Sequence, residues 1–208
     1  MTYEEHLPDL RESYNRAAAE RDQRPREAWK VEIREDFLRL LQSEGKSSLL
    51  EIGAGTGMDS KFFADNGLDV ICTDLSPEHV RYCQDKGLQA YVMDFMNLDF
   101  PPSSFDAVYA MSCLLHVTKK DFPMVLNEIW EMLRPSGLFF LGQYGGKEFE
   151  GIYPEDRLRP KRFFSFFTDE DLKLVVSDTF DILMFNTLPL EEEEEYHFQH
   201  LILRRPAS

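Results

Sequence analysis

Short apolar runs alternate with amphipathic segments through the middle of the chain. The runs predict five β-strands, at Ser48–Ile52, Asp69–Thr73, Gln89–Met93, Phe105–Ala110 and Leu138–Tyr144. Between them, helical patterns cover residues 59–66, extend from Pro77 to Gly87 and cover residues 122–133. This alternation predicts right-handed βαβ crossovers and a parallel sheet. Helices on both faces would explain why the strands are almost entirely apolar.

The two ends of the chain have different patterns. The first 25 residues are mostly polar and predict a loosely attached helix, and residues 26–43 predict a second helix with one apolar stripe. Thr168 and Asp171 form a capping pattern that opens a helix running to Ser177. Residues 180–188 and 196–203 predict two strands that pair antiparallel, because they are consecutive. We therefore predict an α/β fold whose seven-stranded sheet is mostly parallel, with one antiparallel strand near the C-terminus.

The chain has 208 residues, enough for one domain. We divide it into an N-terminal helical cap (1–45), a ligand-binding core (46–144), a lid-like insertion (145–167) and a C-terminal helix with a strand pair (168–208). The five consecutive glutamates at 191–195 are interpreted as a solvated connector.

Charge and cysteine content exclude several classes of protein. The formal net charge is −15, which disfavours a general DNA or long-RNA binder. Cys72, Cys83 and Cys113 lie far apart, so neither a disulfide framework nor a zinc site is predicted. The N-terminus lacks a secretory pattern, and no apolar run approaches the ~18 residues of a membrane span. These features predict a cytoplasmic protein without a bound metal.

A glycine loop follows the first strand, in the segment Glu51-Ile-Gly53-Ala-Gly55-Thr-Gly57. Gly53 permits a tight turn, and Gly55 lets the backbone approach a ligand. Asp74 lies 19 residues after Gly55, at the end of the second strand, where a carboxylate can accept hydrogen bonds from ribose hydroxyls. The alternative is that Asp74 is an ordinary acid at a helix N-terminus.

The loop spacing distinguishes two kinds of nucleotide ligand. Dinucleotide enzymes usually carry G-x-G-x-x-G, whereas this loop has G-x-G-x-G preceded by Glu51. A carboxylate would repel a pyrophosphate and attract an ammonium group. The pattern favours a ligand with a ribose and a cationic amino-acid end, and it disfavours a nicotinamide oxidoreductase.

Five segments in order resemble the motifs of class I S-adenosylmethionine-dependent methyltransferases of the small-molecule type. They are LLEIGAGTG (49–57), TDLS (73–76), MDF (93–95), FDAVYAMSCLLHV (105–117) and LRPSGLFFL (133–141). The resemblance implies a Rossmann-like fold, S-adenosyl-L-methionine as cofactor and methyl transfer as the activity.

The resemblance also implies cofactor-binding roles for residues that match the motifs. For the methionine end of the cofactor these are Glu51, Gly53, Ala54 and Gly55. For the ribose and adenine they are Asp74, Leu75, Asp94 and Phe95, and beside the sulfonium they are Met111 and Ser112. Tyr14 would close the site from the N-terminal segment. On spacing alone, an ordinary loop acid is an equally good interpretation of Asp94. Trp29 is interpreted as a core residue rather than as a site residue.

His116 is the first candidate for a general base, since it follows the fourth strand at the edge where ligands bind in open α/β folds. Alternatively, it begins a helix and only positions a loop. The segment 142–167 carries a basic cluster, defined here as Arg157, Arg159, Lys161 and Arg162. This cluster would contact an anionic acceptor or, as the favoured alternative, pair with nearby acids in a solvated loop.

The resulting hypothesis is an S-adenosylmethionine-dependent methyltransferase that acts on a small molecule by direct in-line displacement. Two alternatives stay open: a tRNA-base methyltransferase, which needs the basic cluster to form a basic face, and a non-catalytic S-adenosylmethionine-binding module.

Overall fold

A seven-stranded sheet forms the centre of the computed structural model, which describes residues 2–190 and 193–207. The strands are β1 (Ser48–Ile52), β2 (Asp69–Asp74), β3 (Gln89–Val92), β4 (Phe105–Met111), β5 (Leu133–Gly145), β8 (Asp181–Leu190) and β9 (Glu193–Arg204). Their order is β3-β2-β1-β4-β5-β9-β8, and β9 runs antiparallel to the other six strands. The predicted mostly parallel sheet with one antiparallel strand is confirmed.

Six α-helices accompany the sheet in the described part of the chain. They are α1 (Tyr3–Gln23), α2 (Ala28–Ser43), α3 (Met58–Asp65), α4 (Pro77–Asp85), α5 (Phe122–Met132) and α6 (Asp169–Ser177). On one face of the sheet, Phe37 of α2 and Phe63 of α3 pack with Tyr109 and Phe140. On the other face, α5 and α6 pack against the alternate positions of the same strands, including Phe139. This alternation follows from the two-residue period of a strand.

The position of the ligand site follows from the strand order. From the adjacent strands β1 and β4, the chain continues to opposite sides of the sheet, and such a switch point opens a crevice at the carboxyl ends of the strands. The glycine loop leaves β1 at this edge, Asp74 ends β2 and Met111 ends β4. The sheet thus brings residues from three separate motifs to one edge.

Helix α1 is packed firmly on the core, so the prediction of a loosely attached N-terminal helix is wrong. Its buried positions Tyr3, His6, Leu10, Ser13 and Ala17 fall at spacings of three and four residues. The Tyr3 backbone N–H donates to Asp121 at 3.0 Å, and His6 Nε2 lies 2.8 Å from the His116 carbonyl oxygen. Two polar side chains of this buried face have backbone partners outside the helix, His6 at the His116 carbonyl and Ser13 at the Pro160 carbonyl. A pattern of apolar residues alone therefore underestimates the attachment.

The insertion between β5 and α6 contains a two-stranded sheet that is absent from the strands predicted above. β6 (Phe149–Ile152) pairs antiparallel with β7 (Phe163–Phe166). Neither strand has a clean alternation of apolar and polar residues, since β6 contains glutamate and glycine and β7 has three phenylalanines in four positions. The connector predicted at 191–195 falls partly outside the described residues, at 191 and 192. Among the described helices, none has the length and apolarity to cross a membrane.

Candidate active site

The glycine loop combines one crowded glycine with one that faces open space. Gly53 and Gly55 have φ angles of 63° and 59°, in the left-handed region that favours glycine. A Cβ atom added to Gly53 would lie 2.4 Å from the Cβ of Cys113, whereas one added to Gly55 would meet no atom within 4 Å. Gly53 thus allows the loop to pack on the segment after β4, and the backbone at Gly55 is open to a ligand.

Asp74 fixes the glycine loop from the end of β2. Its buried carboxylate accepts hydrogen bonds from the backbone N–H groups of Gly55 and Ser76, both at 2.8 Å. The Nδ1 atom of His79, on α4, lies 3.1 Å from the same carboxylate. The contact with Ser76 agrees with the interpretation as a helix N-terminal acid, and the contact with Gly55 places the carboxylate beside the loop. Both interpretations of Asp74 therefore describe the same geometry.

The residues predicted for the adenine end lie beside an aromatic residue of α1. Asp94 accepts hydrogen bonds from the Met96 backbone N–H at 2.8 Å and from Asn97 Nδ2 at 3.1 Å. The ring of Phe95 is stacked with that of Tyr3, with centroids 6.2 Å apart. Burial, and then the negative charge of Asp94, raise the pKa of the Tyr3 hydroxyl. Tyr3 thus belongs to this region, although its position near the chain start gave no such signal.

The remaining cofactor candidates lie buried or half-buried around the ends of β2 and β4. Leu75 and Met111 are each 7% exposed. Ser112 has a φ of 56°, and its backbone N–H donates to the Gly142 carbonyl at 2.7 Å. The Ser112 hydroxyl is buried and has no hydrogen-bond partner among the described residues. An unpaired buried hydroxyl is costly, which is consistent with a ligand contact at this point.

A buried acidic pair connects the glycine loop to the helical cap. Ser60 donates to Glu51, which is 3% exposed, and Asp59 binds the guanidinium groups of Arg26 and Arg34. Burial raises the pKa of Glu51 to about 7, while the Ser60 hydroxyl, Arg26 and Arg34 counteract this rise. Ala54, in the same loop, is half-buried. Glu51 is therefore a buried carboxyl group whose pKa lies near neutral pH.

Replacing Glu51 with glutamine should make the ligand-free protein more stable above pH 7 than the wild type. The pKa of Glu51 is about 7 in the folded chain and 4.5 in the unfolded chain. Between pH 4.5 and about pH 7 the folded chain holds a proton that the unfolded chain releases, so the free energy of unfolding falls as pH rises through this window. Denaturant unfolding at pH 5 and pH 8 measures the difference. Glu78→Gln is the control, because Glu78 forms a half-exposed ion pair with Arg81. If the free energy of unfolding changed equally with pH in Glu51→Gln and in the wild type, the expectation would be contradicted.

His116 joins α1 to the insertion through both ring nitrogens. Arg162 donates to the Tyr14 hydroxyl oxygen at 2.9 Å, and this hydroxyl lies 2.6 Å from His116 Nε2. His116 Nδ1 lies 2.7 Å from the Phe163 carbonyl oxygen. The consistent assignment is a neutral imidazole that accepts from Tyr14 and donates to Phe163. Burial, and then the charge of Arg162, lower the pKa of His116 to about 3. This arrangement favours the loop-positioning alternative, and the role as base stays a prediction.

The basic cluster is satisfied largely within its own loop. Arg162 forms a two-pronged pair with Asp156 at 2.7 and 2.9 Å. Arg159 Nη1 donates to the Leu158 carbonyl at 2.7 Å, and Lys161 Nζ donates to the Pro154 carbonyl at 2.5 Å. These contacts agree with the alternative of a self-paired loop rather than a continuous basic face.

Two adjoining cavities lie above the carboxyl edge of the sheet. A large one, of about 1270 Å³, is lined by α1, the insertion and the ends of β5, β8 and β9. A small one, of about 110 Å³, reaches Ala54 and Gly55 in the glycine loop. Arg21, Arg24 and Glu27 line both, so the two cavities are neighbours. Trp29 also lines the large cavity, where its ring packs on Phe198 with centroids 4.6 Å apart.

The chain has recognisable relatives over its central part. Residues 50–141 match a family model described as a methyltransferase domain. Sterol 24-C-methyltransferase of Aspergillus fumigatus is 35% identical over 100 residues, which are 44% of this chain and 26% of that protein. Phosphoethanolamine N-methyltransferase of Triticum aestivum is 24% identical over 121 residues, which are 55% of this chain and 24% of that protein. The chain thus spans about a quarter of the length of these two relatives.

Solved structures resemble the chain over nearly its whole length. One is the 1,6-didemethyltoxoflavin-N1-methyltransferase of Burkholderia thailandensis, bound to 1,6-didemethyltoxoflavin and S-adenosylhomocysteine. It has a TM-score of 0.76 and 21% identity, covering 99% of this chain and 91% of that one. Another is the N-methyltransferase NodS of Bradyrhizobium japonicum with S-adenosylhomocysteine, with a TM-score of 0.69 and 17% identity, covering 95% and 99%. At these identities the likeness shows the fold.

Proposed function

Because the chain carries a methyltransferase domain on the class I S-adenosylmethionine-dependent methyltransferase fold, we propose that it transfers a methyl group from S-adenosylmethionine to a small-molecule acceptor. The observation that carries the proposal is the convergence of the open Gly55 loop, the Asp74 carboxylate and the half-buried Asp94 carboxylate at one sheet edge. The relatives named above act on a sterol, phosphoethanolamine or 1,6-didemethyltoxoflavin, as their names state. A small acceptor is proposed here by analogy with them.

The residues at the crevice fit the proposed cofactor chemically. Asp74 can accept from ribose hydroxyls, Asp94 can accept from an amino group on adenine, and Phe95 offers its backbone N–H. Glu51 attracts an ammonium group, and the unpaired Ser112 hydroxyl lies at the end of β4. A dinucleotide would instead bring a pyrophosphate towards the buried Glu51, whose carboxylate would repel it.

Methyl transfer requires positioning more than bond-making by the protein. S-adenosylmethionine, when bound, supplies a methyl group that is already activated by the sulfonium and leaves a neutral thioether. Direct in-line displacement then needs only that the acceptor atom be held at near-attack distance. The glycine loop and acids orient the cofactor, and the large cavity, which is covered by α1 and the insertion, receives the acceptor. His116, with Tyr14 and Arg162, would keep these two covering elements together.

The proposal also covers nucleic acid as a partner and the cellular environment. The self-paired basic cluster gives little support for tRNA as the acceptor, so nucleic acid is not proposed as a partner. The three cysteines are free and buried, which suits a reducing, cytoplasmic environment.

Thermal unfolding with added ligands tests the cofactor. S-adenosylmethionine and S-adenosylhomocysteine should each raise the melting temperature, and a ligand at 100 times its Kd stabilises by about 2.7 kcal/mol. NAD and NADP should have no effect, and stabilisation by these two alone would overturn the proposal. A panel of small acceptors, with formation of S-adenosylhomocysteine as readout, then separates an enzyme from a non-catalytic module. Transfer to tRNA alone would favour the tRNA-base alternative.

A further inference from the structure

A buried lysine lies at the boundary between the two cavities. Lys30, the third residue of α2, is 7% exposed. Its Nζ atom lies 3.2 Å from the Tyr144 hydroxyl and 3.2 Å from the Glu27 carboxylate. The same atom lies over the rings of Trp29 and Tyr144, at 4.9 and 5.7 Å from their centroids. A lysine with so little water around it is unusual unless it is paired, and here one of its partners is a neutral phenol.

Tyr144 connects this lysine to the space proposed for the acceptor. It lies near the carboxyl end of β5 and lines the large cavity. Lys30 lines the small cavity together with Ala54 and Gly55 of the glycine loop. The two side chains therefore form part of the wall between the proposed cofactor loop and the proposed acceptor space. This is where a group that handles the acceptor proton would have to lie.

We propose that Tyr144 contacts the methyl acceptor as a catalytic residue and that Lys30 acts through it as the final proton acceptor. The inference rests on the proposed function. It also specifies the acceptor class: a planar molecule with a hydroxyl or N–H group that must lose a proton. Aromatic side chains suited to a planar ring line the same cavity, namely Trp29, Tyr153, Phe164, Phe166 and Tyr196.

The proton and the electron pairs balance without any further reactant. The acceptor hydroxyl or N–H gives its proton to the Tyr144 oxygen, while the phenolic proton passes to the neutral amine of Lys30. The freed lone pair of the acceptor atom forms the bond to the methyl carbon as the carbon–sulfur bond breaks. The electron pair of that broken bond stays on the neutral sulfur. Lys30 ends as an ammonium ion beside Glu27 and returns its proton to solvent through the open cavity.

The charges around Lys30 suit a base that works near neutral pH. Burial lowers the pKa of Lys30 to about 8, Glu27 raises it, and Arg26 and Arg21 lower it further. Tyr144 faces it from β5; burial, and then the charge of Glu27, raise the pKa of this phenol to about 12, while Arg24, Arg26 and Arg21 lower it. Tyr144 is therefore protonated at neutral pH and relays a proton rather than storing a negative charge. Because the neutral amine is the reactive form, the rate should rise with pH through about 8.

Direct titration of the lysine tests the pair without an acceptor. In protein labelled with ¹³C at lysine Cε, the resonance missing from Lys30→Met identifies Lys30, and we expect it to titrate near pH 8. In Tyr144→Phe the titration of Lys30 should shift, because the hydroxyl partner is lost. A Lys30 resonance that titrates above pH 10 would overturn the proposal.

Kinetics on an acceptor from the panel test the role in transfer. We expect Lys30→Met and Tyr144→Phe to lose about 100-fold in kcat and the rise of rate with pH, with S-adenosylhomocysteine binding retained. Lys30→Arg keeps the positive charge but cannot give up its proton, so it should not restore activity. Lys61→Met, on an exposed pair with Asp65, is the control. Wild-type pH profiles in the variants, or rescue by arginine, would overturn this inference alone, whereas a wild type that binds no S-adenosylhomocysteine would overturn the proposed function instead.

Discussion

Replacement of Asp59 by alanine is expected to lower the free energy of unfolding by about 3–5 kcal/mol. The Asp59 side chain is 1% exposed and binds both Arg26, from the connection between α1 and α2, and Arg34, from α2. Without it, two guanidinium groups would remain near the core with no carboxylate between them. Removing one partner of a buried pair leaves the other charge uncompensated, and this is the source of the large cost.

Denaturant unfolding of Asp59→Ala beside Asp65→Ala measures this effect. Both residues lie on α3, but Asp65 is 59% exposed and pairs with Lys61, so its loss should cost less than about 1 kcal/mol. Equal losses of unfolding free energy in the two variants would show that the buried pair contributes no more to stability than a surface pair. Because Asp59 directly follows the glycine loop, cofactor affinity should fall together with stability in Asp59→Ala.

Substitution of Asp74 by asparagine is expected to weaken binding of S-adenosylhomocysteine by about 10- to 150-fold. This range corresponds to the loss of a charge-assisted hydrogen bond worth about 1.5–3 kcal/mol. The carboxylate accepts from two backbone N–H groups, those of Gly55 and Ser76. An amide has one oxygen only, so its NH₂ group would face a donor or the ligand. In the variant the glycine loop would therefore lose its fixed position at the same time as the proposed ribose contact loses its acceptor.

Calorimetric titration of Asp74→Asn with S-adenosylhomocysteine, at a temperature where the variant is folded, measures the loss. Asp69→Asn is the matched control, because Asp69 is exposed at the first position of the same strand. Unchanged affinity in Asp74→Asn would mean that Asp74 only holds the loop and the start of α4, and the ribose role would have to be given up.

The sequence determined the sheet and the edge where the ligand crevice lies. Apolar runs that alternate with helical patterns are local signals, and the rule for parallel crossovers converts them into a topology without knowledge of distant contacts. The glycine loop and Asp74 also belong to one βαβ unit, so their spacing along the chain already indicated their proximity. The hydrogen bond between Gly55 and Asp74 confirms that proximity.

Only the tertiary structure decided which polar residues are buried and what they contact. Tyr14 and His116 are 102 residues apart, and Lys30 and Tyr144 are 114 residues apart, so no periodicity links them. The place of His116 after β4 predicts a base, but its contacts with Tyr14 and Phe163 depend on how α1 and the insertion pack. The hydrophobic pattern reports which faces avoid water, whereas a buried hydrogen bond depends on two partners that the fold brings together from opposite ends of the chain. For that reason the sheet was predictable, and the attachment of α1 and the Lys30–Tyr144 pair were not.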